Sequence, residues 1–341
     1  MQSKAHSKEV LVTQDHPYEA ILIVSFGGPE GRDDVLPFLE NVLRGRNVPR
    51  QRMLAVAEHY YLFGGVSPIN ENNRLLIARL KTELDCNGPQ LPIYWGNRNW
   101  RPMLTDTIRQ MRDDGVKRAL AFVTSAYSSY SSCRQYLENI AAARDAVGSD
   151  APTVDKIRVF YNHPRFIEAN VENVRSALEQ VPKDRRKDAL MVFTAHSIPT
   201  SMAKNCRYES QLNEASRLVA HALGIDNWKL AFQSRSGSPA QPWLGPDISE
   251  VLETSRSNGV KDVVVAPIGF VSDHMEVIYD LDIEAKQLSE RLGISLVRAQ
   301  TAGTHPAFVK MIRELIVERM EGSDLVDIPG ENCAIECCRA G

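Results

Sequence analysis

Short apolar runs rich in β-branched residues alternate along this chain with longer stretches in which apolar residues recur every three or four positions. Continuous apolar runs of this kind are typical of strands that are buried on both faces of a sheet. Eight of them predict strands over residues 20–26, 91–95, 119–124, 157–161, 189–194, 229–233, 262–268 and 295–299. The periodic stretches between them predict helices over residues 73–84, 102–114, 132–146, 165–180, 210–223 and 306–321.

The alternation of strands with helices predicts parallel sheets joined by right-handed crossovers. Four strands fall in each half of the chain, so we predict an α/β fold with two doubly wound domains. The expected organisation is a disordered lead-in over residues 1–17, an N-terminal domain over 18–178, a C-terminal domain over 179–322 and a cysteine-bearing tail over 323–341. Residues 29–73 exceed what a strand-to-helix connection needs, and we expect them to form helices that wall a cleft.

The composition excludes some classes of protein. The 341 residues are 43% hydrophobic and have a formal net charge of -3. This charge argues against a nucleic-acid-binding protein, whose domain is usually clearly basic. No apolar run is long enough to span a bilayer, and the polar N-terminus has no signal-peptide core. We therefore expect a cytoplasmic protein without stable membrane insertion.

A histidine follows the fifth predicted strand, because the run 189–194 continues into Ala195 and His196. In doubly wound sheets, ligands bind beyond the carboxyl ends of the strands. An imidazole there can take a proton or bind a metal at neutral pH, since its ordinary pKa lies near neutrality. From this segment alone, an equally good interpretation is that the histidine only caps the end of the strand and has no chemical role.

Three acidic residues after the seventh predicted strand recur at every fourth position. Helical spacing places Glu276, Asp280 and Glu284 on one face, where adjacent carboxylates repel one another. A row of oxygen ligands suits a hydrated divalent cation that moves stepwise to a reaction site. The alternative is a solvated acidic face. His274, just before this row, can bind a metal or simply orient the loop.

Several loops have the composition expected of a wall around a flat ligand. Phe26 lies in a glycine-rich turn that lacks the G-x-G-x-x-G fingerprint, which argues against a nucleotide-binding protein. We expect this turn to let backbone approach a ligand, with Phe26 pointing into the cleft. The loop around Ser67 and the hydroxyl-rich stretch that ends at Tyr136 suit a flat ligand with carboxylate edges, although such residues also form ordinary turns.

Six motifs, taken together and in order, resemble the ferrochelatase family. They lie at residues 25–29, 63–68, 194–199, 233–237, 242–246 and 269–276. The resemblance extends over residues 18–321. It implies a chelatase-like fold of two Rossmann-like domains, each with a four-stranded parallel sheet flanked by helices. It also implies a lyase that inserts Fe2+ into a porphyrin in haem biosynthesis.

Among ferrochelatases, the chain most resembles the bacterial type that converts coproporphyrin III to Fe-coproporphyrin III. A protoporphyrin IX ferrochelatase and a haem- or metal-binding protein without turnover remain as alternatives. The absence of an apolar membrane-docking lip favours coproporphyrin III, which is the more water-soluble substrate. The expected partners are the porphyrin and, transiently, neighbouring enzymes of the haem pathway, and we expect no nucleic acid.

The resemblance assigns the metal chemistry to His196 and the acidic row. His196 is credited with pyrrole proton removal or iron binding, and Glu276 is the acidic residue that faces it. Asp280 and Glu284 match carboxylates that lead outward as a metal path, so all four residues are candidate metal ligands. We expect His196 and Glu276 to face each other across a slot that accommodates a flat tetrapyrrole.

The resemblance also implies contacts with the porphyrin. Ser67 and Tyr136 match positions that contact a propionate in coproporphyrin-type enzymes. Phe26 stands where some relatives have a tyrosine that can approach iron in the product. Since a phenyl ring has no oxygen ligand, iron coordination from that side is not expected here.

Cysteines are crowded near the end of the chain, where Cys333, Cys337 and Cys338 fall within the last nine residues. In a cytosolic protein such a cluster indicates metal or redox chemistry rather than disulfides. The group resembles the C-terminal cysteines of ferrochelatases that bind a [2Fe–2S] cluster. Such a cluster takes four cysteines, and we expect the fourth to be Cys133, with Cys206 as the alternative. A tail without a cluster remains possible on the sequence alone.

Overall fold

The structure, a computed structural model, describes residues 18–45, 48–236 and 241–322, together with Cys338. The expected disordered lead-in at residues 1–17 lies outside the described residues. So does the expected tail at residues 323–341, with the exception of Cys338.

Two four-stranded parallel sheets form the framework. The first sheet has the order β2-β1-β3-β4, and its strands are β1 (Ala20–Ser25), β2 (Ile93–Asn97), β3 (Arg118–Val123) and β4 (Thr153–Lys156). The second sheet has the order β6-β5-β7-β8, and its strands are β5 (Leu190–His196), β6 (Trp228–Gln233), β7 (Asp262–Ala266) and β8 (Ser295–Arg298). Every pairing is parallel. The predicted fold of two doubly wound sheets flanked by helices is therefore confirmed.

Helices connect the strands. In the first half they are α1 (Val35–Val42), α2 (Arg50–Leu62), α3 (Ile69–Asn87), α4 (Leu104–Asp113), α5 (Gln135–Val147) and α6 (Pro164–Leu178). In the second half they are α7 (Thr200–Ala203), α8 (Tyr208–Leu223), α9 (Ile248–Ser257), α10 (Met275–Tyr279), α11 (Lys286–Leu292) and α12 (Pro306–Met320). Helices α1 and α2 and the start of α3 occupy the segment 29–73, so the prediction of helices there is confirmed.

One predicted strand is misplaced. The apolar run 157–161 lies outside β4, which ends at Lys156. The run packs into the core instead, where Phe160 stacks on Phe122 with 5.1 Å between the ring centroids. The actual strand is a short, half-exposed edge strand, so it has no continuous apolar run that a sequence pattern could detect.

A single apolar core joins the two sheets. It includes Phe122 from β3 and Phe193 from β5, together with Phe308 and Ile312 from α12. Helix α12 follows the last strand of the second sheet but packs against α3 and α6 of the first half. The domain division at residues 178 and 179 stays a prediction, and the hydrophobic core is continuous across it.

Candidate active site

A histidine and a glutamate meet at the carboxyl end of the second sheet. His196 is the last residue of β5, and its Nδ1 lies 2.5 Å from the carbonyl oxygen of Ser197. Because a carbonyl oxygen can only accept, Nδ1 carries a proton and donates it. The other ring nitrogen therefore faces Glu276, with 3.5 Å between Nε2 and Oε1.

The loop after β7 brings Glu276 to this position. Gly269 donates its N–H to the carbonyl of Thr194 at 2.9 Å, and any side chain at Gly269 would clash with Ala195. This close approach explains the glycine, because the loop can lie against the end of β5 only without a Cβ. Helix α10 starts a few residues later. His274 caps it by accepting the N–H of Glu276 on Nδ1 at 3.2 Å, so the structure shows His274 orienting the loop.

At neutral pH the side chains of His196 and Glu276 carry opposite charges. Burial disfavours the charged imidazole, but the Glu276 carboxylate and the Ser197 carbonyl outweigh it and raise the pKa of His196 to about 9. Burial likewise opposes ionisation of Glu276, yet the His196 charge lowers the pKa of this carboxyl to about 2. Before substrate binds, the two side chains therefore form an ion pair. Their side chains remain 30% and 47% exposed, so a ligand can reach both.

The predicted slot between these two groups is wrong. At 3.5 Å, His196 and Glu276 touch, and no flat ligand fits between them. A bound macrocycle must instead meet both groups on one of its faces. The apolar side of α10 packs into a cluster that includes Met275 together with Phe26, Phe38 and Tyr60 from the first half of the chain.

Asp280 is the next carboxylate outward, and its environment favours the neutral form. Burial and the repulsion of Glu276 and Glu284 raise the pKa of Asp280 to about 7, although a hydrogen bond from Ser234 opposes the shift. Gln233 donates from Nε2 to the carbonyl of Glu276 at 3.0 Å and to Asp280 Oδ2 at 3.4 Å. Asp280 therefore sits where one carboxyl can gain or lose a proton near neutral pH.

Gln233 and Ser234 lie in the motif at residues 233–237, but the sequence patterns predicted no role for either residue. Gln233 is the last residue of β6 and pairs in register with His196. Its Oε1 is buried without a hydrogen-bond partner among the described residues. Ser234 has a φ of 61°, a left-handed conformation that non-glycine residues seldom adopt. The strand-end rule that identified His196 would also have identified this neighbouring strand end.

The acidic row does not run along one regular helix. After five residues, α10 passes into a π-helical turn over Asp280–Ala285, and α11 follows. Glu284 lies beyond this turn, near the Tyr279 ring, which stacks on His59 with 3.7 Å between centroids. Burial raises the pKa of Tyr279, and the Glu284 charge raises it further, while the same charge opposes the lowering of the His59 pKa that burial causes. π-Helical turns occur frequently at functional sites.

The predicted porphyrin contacts lie on the opposite wall. Ser67 is 4% exposed and packs against Gly28, while its N–H donates to the carbonyl of Pro29 at 2.8 Å. Tyr136, on α5, is also buried. Between this wall and α10 lies a pocket of about 400 Å³, lined by Phe63, Val66, Pro68, Asn72, Asp273 and Ile278.

Two of the four predicted cluster ligands, Cys133 and Cys338, are described and both are buried, while Cys333 and Cys337 lie outside the described residues. Cys206, the alternative, is half-buried.

In the part of the chain that the structure describes, no three His, Cys, Asp or Glu side chains converge as a complete metal site. Across the same residues, no helix is both long and apolar enough to cross a membrane.

Known proteins resemble this chain over nearly its whole length. A family model described as ferrochelatase matches residues 18–320. A ferrochelatase of Rhodopirellula baltica is 56% identical over 329 residues, which cover 94% of this chain and 93% of the relative. A coproporphyrin III ferrochelatase of Streptomyces coelicolor is 50% identical over 321 residues, covering 89% and 86% of the two chains.

Solved structures give the same fold at low identity. The sirohydrochlorin chelatase SirB of Bacillus subtilis subspecies spizizenii, in complex with cobalt, aligns with a TM-score of 0.52 at 13% identity and covers 89% of this chain and 95% of its own. SirB from Bacillus subtilis with Fe3+ aligns with a TM-score of 0.55 at 12% identity and covers 89% of this chain and 97% of its own. At these identities the likeness concerns the fold alone.

Proposed function

The chain belongs to the ferrochelatase family and inserts metal into a porphyrin in haem biosynthesis, and we propose that its substrates are Fe2+ and coproporphyrin III. Relatives named coproporphyrin III ferrochelatases, including one from Nocardia farcinica at 50% identity, support this choice of porphyrin. The observation that carries the proposal is the contact between His196 and Glu276 at the carboxyl end of the second sheet.

The paired groups support a route for the metal. Fe2+ would pass the carboxylates of Glu284 and Asp280, exchange water for carboxylate oxygens, and reach Glu276 on one face of the bound macrocycle. The pyrrole nitrogens would then complete its ligand set, which suits a site whose own side chains are too few to retain the ion. Loose binding by the protein lets the metal move on to the porphyrin.

The same groups support a route for the protons. A free-base porphyrin releases two pyrrole protons as Fe2+ enters, so charge balances only if bases receive them. His196 is held protonated by Glu276, and an incoming Fe2+ on Glu276 would neutralise that carboxylate and release the proton from the imidazole. That proton would leave to solvent through Asp280, whose pKa is about 7, and His196 could then accept the two pyrrole protons one after the other and pass each along the same route.

The decisive experiment compares porphyrins. Purified enzyme is given Fe2+ without oxygen, with coproporphyrin III or protoporphyrin IX in the same buffer, and metallation is followed by absorbance. We expect a clearly higher kcat/KM for coproporphyrin III. Equal or greater efficiency with protoporphyrin IX would reject the proposed substrate, and no metallation of either would reject the enzyme assignment.

We also propose, from the sequence, a [2Fe–2S] cluster bound by Cys133, Cys333, Cys337 and Cys338. The burial of Cys133 and Cys338 is compatible with this ligand set, and no catalytic step depends on it. Protein purified without oxygen should show visible iron–sulfur absorption that disappears on substitution of Cys338 by serine. Assignment to the lyases, a cytoplasmic location and transient contacts with other haem-pathway enzymes stay predictions.

A further inference from the structure

An arginine that sequence analysis did not single out lies between two of the predicted porphyrin contacts. Arg98 directly follows β2, and its guanidinium lies 4.4 Å from the ring centroid of Tyr136 and 5.6 Å from that of Phe26. Arg98 is half-buried. It therefore places a positive charge beside Tyr136 and Phe26, two of the predicted porphyrin contacts.

The structure shows no counter-ion for this charge among the residues that it describes. Arg98 donates from Nε to Asn139 Oδ1 at 2.6 Å and from Nη1 to the carbonyl of Ser131 at 3.2 Å, and both acceptors are neutral. No carboxylate within the described ranges lies at ion-pairing distance from it. Arg298, a comparably shielded arginine, pairs with two carboxylates. A shielded guanidinium without such a partner is costly unless a ligand supplies the charge.

The geometry matches the edge of a propionate-bearing macrocycle. Phe26 offers an apolar surface of the kind that packs on a porphyrin plane, and Arg98 lies beside it. A guanidinium is planar and rigid, and its N–H groups match the two oxygens of a carboxylate. Asn139 and Ser131 hold the side chain in place through Nε and Nη1, and Nη2 takes part in neither contact.

We propose that Arg98 binds a propionate of the porphyrin and favours a macrocycle with four propionates over one with two. This inference rests on the proposed function, because it presumes that coproporphyrin III occupies the site. Arg98 is a specificity determinant here, since it touches the rim of the substrate and takes no part in moving protons or metal.

The test uses Arg98→Gln, Arg98→Lys and the wild type, each assayed for KM and kcat with coproporphyrin III and protoporphyrin IX. For Arg98→Gln we expect KM for coproporphyrin III to rise by roughly 10- to 100-fold, the effect of losing one charge-assisted hydrogen bond. Its kcat should change little, and KM for protoporphyrin IX should rise less. Arg98→Lys keeps the charge but lacks the planar set of N–H donors that binds both carboxylate oxygens, so it should recover part of the affinity.

Arg109→Gln is the matched control, because Arg109 is exposed on α4 and, among the described residues, its one ion pair is with Asp106. Thermal unfolding of each variant separates loss of binding from loss of fold. An equal rise in KM for both porphyrins, or no rise for coproporphyrin III, would overturn the role of Arg98. A wild-type enzyme that does not metallate coproporphyrin III would instead overturn the proposed function, so the two failures are distinguishable.

Discussion

The two sheets have the same strand order, but the carboxyl ends of their strands differ in chemistry. In the second sheet these ends present His196 and Gln233 and lead to Glu276, which form a partly exposed, strongly polarised group. In the first sheet they present Ser25 and Asn97, which are fully buried and neutral. A repeated fold therefore provides the same edge twice, once for proton and metal chemistry and once for support, with the proposed propionate contact Arg98 directly after β2 at the supporting edge.

Buried polar residues at the end of the first sheet hold the turn after β1 against the start of α3. Asn73 donates to Ser25 Oγ at 2.8 Å, and Asn97 donates to Asn70 Oδ1 at 3.3 Å. Asn70 in turn donates to the carbonyl of Gly28 at 3.1 Å. These bonds tie the start of α3 to the turn after β1, which contains Phe26. We therefore expect changes at Asn70, Asn73 and Asn97 to affect stability and changes at the second edge to affect turnover.

The largest effect should come from His196→Ala. Loss of a general base typically lowers kcat by roughly 100- to 10,000-fold, and the porphyrin wall is untouched by this change. Coproporphyrin III binding, measured by fluorescence titration, should match the wild type. His221→Ala, at an exposed position on α8, is the control and should keep full activity. Near-normal turnover of the His196 variant would remove this residue from the mechanism.

Asn73→Ala tests the neutral edge. It leaves the buried Ser25 hydroxyl without its donor, and we expect the free energy of unfolding to fall by about 1–3 kcal/mol. The kcat of the folded fraction should stay close to the wild type. Chemical denaturation and activity should be measured on the same preparation, with Asn87→Ala, exposed at the end of α3, as control. A variant with normal stability and reduced kcat would contradict the division between the two edges.

Asp280→Asn tests the charged edge with a change of one charge and almost no change of shape. If Asp280 helps to guide the metal, KM for Fe2+ should rise by about tenfold, as expected for loss of one charge-assisted contact. Porphyrin affinity should be unchanged, and thermal stability at neutral pH should be equal or higher, because burial and neighbouring carboxylates disfavour the ionised form of Asp280 and raise its pKa to about 7. Glu290→Gln, on the exposed side of α11, removes a nearby charge outside the row. If both variants raise KM for Fe2+ equally, only the overall negative charge matters.

Sequence patterns located the strand ends, and with them His196 and Glu276, because apolar periodicity and local motifs depend on neighbouring residues. They did not show that these two side chains touch, since that contact depends on the approach of Gly269 to Ala195. They also did not single out Arg98, because its position beside the predicted porphyrin contact Tyr136 depends on how α5 packs against the end of β2.

The position of β4 and the π-helical turn at Asp280–Ala285 were not predicted, for a related reason. The strand is half-exposed and has no apolar run. The spacing of four residues between the acidic side chains is compatible with a regular α-helix. No local sequence pattern indicates the extra residue in the π-helical turn. Both features follow from packing against elements distant in the chain.

The smallest expected effect concerns backbone strain, and it sharpens the comparison of the two edges. The turn after β1 uses a glycine at its left-handed position, Gly27 with a φ of 81°, whereas the loop after β6 uses Ser234 with a φ of 61°. Ser234 donates to Asp280, so the charged edge has a hydroxyl where conformational freedom alone would favour glycine.

Ser234→Gly and Ser234→Ala both remove this hydroxyl, but only glycine adopts the left-handed conformation without strain. We therefore expect the glycine variant to be more stable than the alanine variant by about 1 kcal/mol in chemical denaturation. Since the bond to Asp280 is lost in both, their KM values for Fe2+ should rise together. Equal stability of the two variants would mean that the backbone at residue 234 is unstrained, and the serine would then need no functional explanation.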